Sequence, residues 1–559
     1  AQVIRFGINM AKAKGLKVAL PQKRKQTEAN NGAAIQKRRK RQEAIQRACE
    51  LGLDWLLDTH LGRSAFKDDY FEKKPLHIQR SDKSFYNIFE ELCTAEGLFQ
   101  LLESGEVAVQ RLNMFRCVDG SNKEVPTPSP QTPADVRRLF ADGWSIQWLQ
   151  PQQEHNTLAR FVATLESQFG CLIGVNSYLT PPGVQGLAPH WDDVEVFVLQ
   201  LAGSKSWQLH ASCSTSPLPP EAQTLPRYSS GDLNLASLSP VMMTPTLRAG
   251  DLLYFPRGTI HHAPNPSQQE PSIHLTISAF QRQTYFDLAN KAFEETMAEL
   301  WENDKAMRTS LPWEALGGST SASPVLCKEV ARLLRRAAEM VEAEEKAASS
   351  GSNATGHVSG ALADLSSDFV QSRMPPLLKQ ADQDVGSIIT PTSYVMLPDP
   401  SVLAIVPAAG DDEGGSTLIH CLQNSQQDHM MRRDALPTMM PGSAPDEEEE
   451  EEEDGEEEAE DEDDQPDLDE NSEEAEEGWH VSPAVAKALK HLCHRSQRLP
   501  LAGGVAQPET ISVKQALEDA KVPQPTWPDV CSALTQLAAL GIVVVGRPPA
   551  TSNAGKLTS

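Results

Sequence analysis

His190 and Asp192 stand two residues apart at the start of an apolar run, in the stretch PHWDDVEVFVLQLAG. In an extended chain, residues two apart face the same side, so these two side chains point together while Trp191 points away. An imidazole and a carboxylate from one strand edge are two members of the two-histidine, one-carboxylate set that holds non-haem Fe(II) and leaves positions open for a cosubstrate and oxygen. A third ligand is needed. Further along, GDLLYFPRGTIHHAPN offers His261 and His262. Adjacent strand residues face opposite ways, so one of the two can ligate, and periodicity does not choose between them. An H-x-D triplet alone is most often a surface accident, and a strand histidine is more often a hydrogen-bonded core residue. Their joint occurrence at strand edges in a β-rich region favours ligation. Asp193 reads as a local cap or pairing residue.

A cosubstrate such as 2-oxoglutarate needs an anchor for its far carboxylate. Lys205, in GSKSW, opens the strand after VEVFVLQLAG and can enter a barrel as a point charge; an exposed turn lysine is the competing reading. Asn176 and Tyr178 in GVNSYLT, and Thr276 and Ser278 in HLTISAF, are same-face polar pairs in otherwise apolar strands. Buried polar groups need partners, and a carboxylate-bearing ligand would supply them.

The elements that must position these residues follow from hydropathy and turn signals. CELGLDWLLDTHLG, DVRRLFADGWSIQWL and LARFVATLESQFG have helical apolar spacing. Beyond Gly183 the pattern changes to strands, VEVFVLQLAG, KSWQLH, TPTLRAGDLLYFPRG and SIHLTISAF, separated by Gly, Pro and Asp turns. Helices return after Gln281. In SPVLCKEVARLLRRAAEMVEAEEKAA, Ser323 can cap, Pro324 sits in the first turn, and Leu326, Val330, Leu333, Leu334, Ala337 and Val341 make one apolar stripe, either core or a partner surface. Residues 346–360 read as a flexible loop. The last third holds short strand candidates at 393–407 and 417–422. Three capped helices and a β-branched strand then suggest a winged-helix unit, with an acidic insertion inside it.

The net charge of −27 over 559 residues is local: 24 acidic and no basic side chains fall within 446–477, which leaves the rest of the chain near neutrality. That tract is too charged to fold alone and suits a solvating role or attraction of basic proteins. KRK at 23–25 and KRRKR at 37–41 form a bipartite basic pattern that predicts a nuclear location; the same charge suits RNA or an acidic partner. Nine scattered cysteines without a C-x-x-C pair predict free thiols in a reducing compartment. With no apolar stretch of spanning length and no signal-peptide pattern, a soluble intracellular protein with no membrane contact is expected. The first residue is Ala rather than Met, so residues preceding it are expected.

NSYLTPPGVQGLAPHWDDVEVFVLQLAGSKSW and GDLLYFPRGTIHHA with HLTISAFQR resemble the JmjC-domain ribosomal oxygenases, in particular the bifunctional lysine-specific demethylase and histidyl-hydroxylase type. FEKKPLHIQR at 71–80 and DFVQSRMPPLL extend the resemblance over 46–545, strongest at 170–285. It implies an α+β fold: a double-stranded β-helix (cupin/JmjC) barrel with flanking helices, a helical dimerisation segment and a C-terminal winged-helix domain. It further implies that His190, Asp192 and His261 bind iron and that Lys205 holds 2-oxoglutarate with Asn176, Tyr178, Thr276 and Ser278, with O₂ as the other cosubstrate. Two positions depart from the family pattern. Trp191 replaces its usual tyrosine near the substrate groove, and His262 replaces its common glutamine.

The expected domains are a basic disordered tail at 1–45, the JmjC (cupin) catalytic domain at 46–282 and a helical, dimerising segment at 283–380. A winged-helix domain at 381–547, carrying an acidic insertion at 441–478, and a tail at 548–559 complete the chain. The expected activity is histidyl hydroxylation of a ribosomal protein in the nucleus, at the nucleolus. The alternatives are lysine demethylation of histone H3 at the same site, and an inactive scaffold holding basic proteins. A homodimer is expected, and the scattered basic residues of the winged-helix unit argue against direct nucleic-acid binding.

Overall fold

The computed structural model describes residues 22–120, 122–211, 225, 229–280, 283–311, 324–349, 356–376, 388–408, 415–430, 479–497 and 510–546. The whole acidic insertion at 441–478 and the tail at 548–559 therefore lie outside the described residues. The helices are α1 (Gln22–Leu51), α2 (Leu53–Leu57), α3 (Arg63–Asp69), α4 (Ala95–Ser104), α5 (Pro133–Ala141), α6 (Asn156–Phe169), α7 (Tyr285–Asn303), α8 (Pro324–Ser349), α9 (His357–Ser372), α10 (Pro483–Gln497), α11 (Val513–Asp519) and α12 (Trp527–Ala539). The strands of the first half are β1 (Leu76–Ile78), β2 (Leu112–Val118), β3 (Asn122–Glu124), β4 (Ser145–Leu149), β5 (Ile173–Thr180), β6 (Glu195–Ala202), β7 (Ser204–Ser206), β8 (Gln208–His210), β9 (Val241–Met243), β10 (Thr246–Arg248), β11 (Leu252–Phe255), β12 (Ile260–His262) and β13 (Ser272–Ala279). Those of the second half are β14 (Tyr394–Met396), β15 (Leu403–Pro407), β16 (Ser416–His420), β17 (Trp479–Val481), β18 (Ile511–Ser512) and β19 (Val544–Gly546).

One wall of the barrel is an eight-stranded sheet in the order β1-β11-β6-β13-β5-β4-β2-β3. The other is made of the β12-β8-β9 and β10-β7 ladders. Strand β6 sits at the centre and is buried from Glu195 to Leu201, which explains why VEVFVLQL is a near-continuous apolar run rather than an alternating one. Each fully buried Val, Leu or Phe in it contributes about 1.5–3 kcal/mol. One core cluster joins the outer sheet face to α1–α6, with Trp55, Phe66, Phe89 and Phe161 at its centre. A second fills the barrel side with Val196, Val198, Trp207, Leu209, Leu253 and Phe255.

Helix ends follow their sequence signals. Thr132 and Asp135 form a capping box at α5 with Pro133 in the first turn, and Thr284 and Asp287 form another at α7. Between β6 and β7 the chain reverses at Gly203, whose φ of 63° and whose 2.1 Å approach of a Cβ to the Pro271 carbonyl oxygen exclude any other residue. That reversal turns Lys205 inward.

Two expectations change. The tail expected to be disordered over 1–45 is helical from Gln22, within α1, and Ile45, Ala48 and Cys49 pack into the first core. The apolar face near its C-terminus overrides the basic composition of the residues before it; residues 1–21 lie outside the described set. The expected boundary at 380 falls in residues that are not described, and Phe369 and Val370 near the end of α9 already pack into the C-terminal core. That core gathers α10–α12 around the β18-β14-β19 and β15-β16-β17 sheets.

Candidate metal and cosubstrate site

His190 and His261 lie on opposite segments that are laced by backbone bonds. His261 N–H donates to the His190 carbonyl (2.8 Å) and His190 N–H returns the bond (3.2 Å). Gly258 N–H donates to the Asp192 carbonyl at 2.8 Å, so all three residues are fixed by main chain before their side chains meet. Both imidazoles turn Nδ1 to a carbonyl, His190 to Ala188 O (2.8 Å) and His261 to Thr259 O (3.0 Å). Only an N–H satisfies a carbonyl, so in the neutral imidazole the lone pair is left on Nε2. These Nε2 atoms face the Asp192 carboxylate at 3.9 and 3.7 Å, too long for hydrogen bonds. One donor atom from each of the three residues lies within 4.8 Å of the others. Burial and the neighbouring His190 hold the His261 imidazole down at about 4, so it stays a neutral ligand at ordinary pH. The arrangement suits a single divalent cation bound on one face.

A buried network ties the two ligand-bearing segments together. Tyr254 Oη donates to Glu195, three residues after Asp192, and Arg257 N–H reaches the same carboxylate at 3.4 Å from a point four residues before His261. Arg257 closes the corner on Glu72 at 2.8 Å.

The ligands share one cavity with Tyr178, Thr180, Lys205, Trp207, His262, His274 and Thr276. Lys205 is buried (5% exposed), and its Nζ donates to Thr180 Oγ1 at 2.9 Å. Among the described residues no carboxylate pairs with it, and burial pushes its pKa down to about 7. An ammonium desolvated beside a neutral hydroxyl is costly, and the chemistry that relieves it is an incoming anion. His274 stacks on Tyr178 (5.0 Å, 8°), meets Trp207 edge-on at 5.6 Å and leaves Nδ1 without a partner; burial and Lys205 push its pKa well down. The donor set and the unpaired cation together fit a metal-chelating dicarboxylate such as 2-oxoglutarate.

Of the four polar strand residues, Tyr178 and Thr276 line this cavity, and Asn176 and Ser278 are not among its lining residues. The Asn176 Oδ1 accepts from Gln150 N–H at 3.4 Å, and the same side chain hydrogen-bonds Tyr178 on the cavity wall. Thr180, Trp207 and His274 escaped the sequence reading although period two carries them: each lies two residues from Tyr178, Lys205 or Thr276. His261 faces Asp192, while His262 turns to the other face of β12 and stacks on His210. Asp193 pairs not with a near neighbour in sequence but across 36 residues, accepting from Ser229 Oγ at 2.9 Å. Trp191 is pinned by its backbone to Ser230 and is not among the lining residues.

Residues 147–288 match the JmjC domain family, which is the class that barrel and donor set define. The chain is 33% identical over 384 residues to ribosomal oxygenase 2 of Rattus norvegicus, covering 66% of this chain and 77% of that one. It is 32% identical to the bifunctional lysine-specific demethylase and histidyl-hydroxylase NO66 of Drosophila willistoni, over 57% of this chain and 41% of that protein. Among solved structures it is similar to the Escherichia coli ribosomal oxygenase YcfD in complex with cobalt and 2-oxoglutarate, at 14% identity and a TM-score of 0.38, covering 87% of this chain and 99% of that one. The chain belongs to the JmjC-domain ribosomal oxygenase family. It is a 2-oxoglutarate-dependent dioxygenase, with Fe(II), 2-oxoglutarate and O₂ as its cofactors.

Proposed function

We propose that this dioxygenase hydroxylates a histidyl residue of a ribosomal protein, with His190, Asp192 and His261 holding Fe(II) and Lys205 and Thr180 holding the far carboxylate of 2-oxoglutarate. The observation that carries the assignment of residues is the buried Lys205, with no carboxylate partner among the described residues, at one part of a cavity whose other part holds the three clustered ligand atoms. When bound, the iron couples oxidation of 2-oxoglutarate to succinate and CO₂ with insertion of an oxygen atom into a substrate C–H bond. The chain's own residues position and shield. The carbonyls of Ala188 and Thr259 keep both Nε2 atoms aimed inward, and Lys205 orients the cosubstrate. Trp207 and the Tyr178–His274 stack keep bulk water from the walls.

Hydroxylation at a histidyl carbon gives a stable product, whereas hydroxylation of an N-methyl group collapses with loss of formaldehyde, so demethylation of a histone H3 lysine is the second reading of the same site. The helical segment α7–α9 is proposed to form a homodimer interface. Phe286, Phe293, Trp301, Val330 and Leu334 are exposed there, while Leu326, Leu333 and Val341 of the stripe are half-buried and Ala337 is buried. Helices α10–α12 with β18 and β19 follow a winged-helix order, proposed to recognise protein rather than nucleic acid. The exposed Lys37–Lys40 stretch of α1 supports a nuclear, nucleolar location.

Incubating the purified chain with Fe(II), 2-oxoglutarate and peptides of ribosomal proteins and histone H3 tests the reading. A histidine peptide gaining about 16 Da, with succinate release lost in His190→Ala, is expected. Loss of about 14 Da from a methyl-lysine peptide instead selects demethylation, and no succinate under any condition leaves the scaffold.

A further inference from the structure

Residues 125–132, VPTPSPQT, join β3 to α5 and, with Pro133, present three hydroxyl side chains each followed by proline: Thr127, Ser129 and Thr132. A serine or threonine before proline is what a proline-directed protein kinase accepts, and the enzyme takes it on an extended chain with the hydroxyl free. So short a motif is common, and its structural context decides whether it can be used. By sequence Thr132 is the best placed of the three, with Pro130 two residues before it and Pro133 after it. The fold reverses that order. Thr132 caps α5, its Oγ1 donating to the Asp135 carboxylate at 2.8 Å and accepting from Asp135 N–H at 3.2 Å. From Pro133 onward the chain is helical, so it cannot extend into a cleft on that side, and a phosphate on Thr132 would break the cap and stand against a carboxylate.

Ser129 is the opposite case. Thr127, Pro128 and Ser129 are exposed, and no helix or strand falls within three residues of Ser129 on either side. Among the described residues the hydroxyls of Thr127 and Ser129 make no hydrogen bond, and residues 125–131 make no bond from main chain to main chain. The ends of the segment are held: Pro126 is buried, Lys123 N–H donates to Asp232 at 2.9 Å, and the capping box fixes Thr132. Between Glu124 and Asp135 the sequence has no acidic side chain to oppose added negative charge.

We propose that Ser129, with Thr127 second, is a phosphorylation site for a proline-directed kinase, and that the fold spares Thr132. The Ser129 Oγ attacks the γ-phosphorus of ATP and forms an O–P bond. The bond from that phosphorus to the bridging oxygen breaks, ADP leaves with the electron pair, and the hydroxyl proton passes to the catalytic carboxylate of the kinase. The product adds about −1.5 to −2 charges at neutral pH, on the connection that leaves the β2–β3 hairpin, whose Phe115 lines the metal cavity.

The test incubates the full chain with Mg-ATP and a purified mitogen-activated protein kinase, whose preference for proline two residues before the hydroxyl favours Thr132 on sequence alone. A synthetic peptide of residues 122–137, which has no core to hold the cap, is treated in parallel. Products are mapped to residues by mass as gains of about 80 Da per phosphate. Thr132 is expected to lead in the peptide and Ser129 in the folded chain, where Thr132 should react at about a tenth of the Ser129 rate or less, the equivalent of undoing one helix cap. Ser129→Ala should lose most of the phosphate on this segment of the folded chain and melt with the parent, because the hydroxyl it removes has no partner. Thr132 leading in the folded chain, or no phosphate on Thr127 and Ser129 there, overturns the proposal. So does a Ser129→Ala chain that gains phosphate on this segment as fast as the parent.

Discussion

Two clusters of this protein hold a histidine against a carboxylate, and they are built in opposite ways. In the seam between the barrel and the C-terminal core, His429 and Glu166 are both fully buried and 2.8 Å apart. Glu166 also accepts from Ile173 N–H (3.1 Å) and Met374 N–H (2.7 Å), while His429 Nδ1 meets Gln152 Nε2 at 3.3 Å. Beside them the buried Arg373 donates to Ala163 O, Ser167 Oγ and Ser401 O. In the barrel, by contrast, the His190 and His261 Nε2 atoms stop 3.7–3.9 Å from Asp192, and Lys205 faces a neutral threonine. A closed polar network holds protein to protein. An open one, whose His190 and Asp192 are only partly buried, leaves its unmet groups to be satisfied by a ligand.

The comparison breaks most readily at its extremes. Removing a metal ligand should abolish metal-dependent behaviour and barely touch the fold. Adding Co(II) at a hundredfold excess over its Kd should stabilise the chain by about 2.7 kcal/mol, and Asp192→Ala should show none of this in a melting experiment while unfolding near the metal-free temperature. A variant that melts far below the metal-free chain would show that Asp192 is structural and dissolve the distinction. Glu166→Ala is expected to do the reverse. It orphans two backbone N–H groups and His429 in a dry seam, so the first unfolding transition should lose about 3–5 kcal/mol in denaturant. The 2-oxoglutarate KM of the folded fraction should remain unchanged.

The distinction between open and closed clusters explains which parts of the site were legible in the sequence. His190, Asp192 and Lys205 stood out because charged groups interrupt apolar strand patterns, and an open site must put such groups there. The choice of His261 over His262 was not legible from alternation alone; it depends on the β12/β8 register and on the pairing of His190 with His261. Asn176 and Ser278 fall outside the cavity lining, because period two gives a strand face and not how far along the barrel the cavity extends. The seam was invisible: Glu166 reads as an ordinary polar position of an amphipathic helix, and His429 lies far away in sequence beside the acidic insertion. Only tertiary contact makes them a pair. Likewise the basic composition of residues 37–41 masked a helix whose buried end, at Ile45 and Ala48, fixes it to the core.

Lys205 allows a finer test, because its openness has a sign in pH. Its pKa is about 7 in the folded, ligand-free chain against 10.5 when exposed. As pH falls from 10.5 towards 7 the unfolded chain takes up this proton before the folded one does, so this group's contribution to stability declines through that window and is constant below it. Only the protonated amine can pair with the incoming carboxylate, so the 2-oxoglutarate KM should climb as pH rises above 7. In Lys205→Met that climb should vanish, the KM should be about a hundredfold higher at pH 6.5, and the metal-free chain should melt no lower than the parent at neutral pH. Thr180→Val makes the smallest cut. It removes the one hydrogen bond to Nζ at 2.9 Å and keeps the shape of the side chain, so the KM should rise by about threefold to tenfold, the equivalent of about 0.5–1.5 kcal/mol, while the pH dependence persists. If the valine variant flattened the pH profile as the methionine variant does, the threonine rather than the ammonium would be the anion's partner, and Lys205 would join the closed class of buried charge.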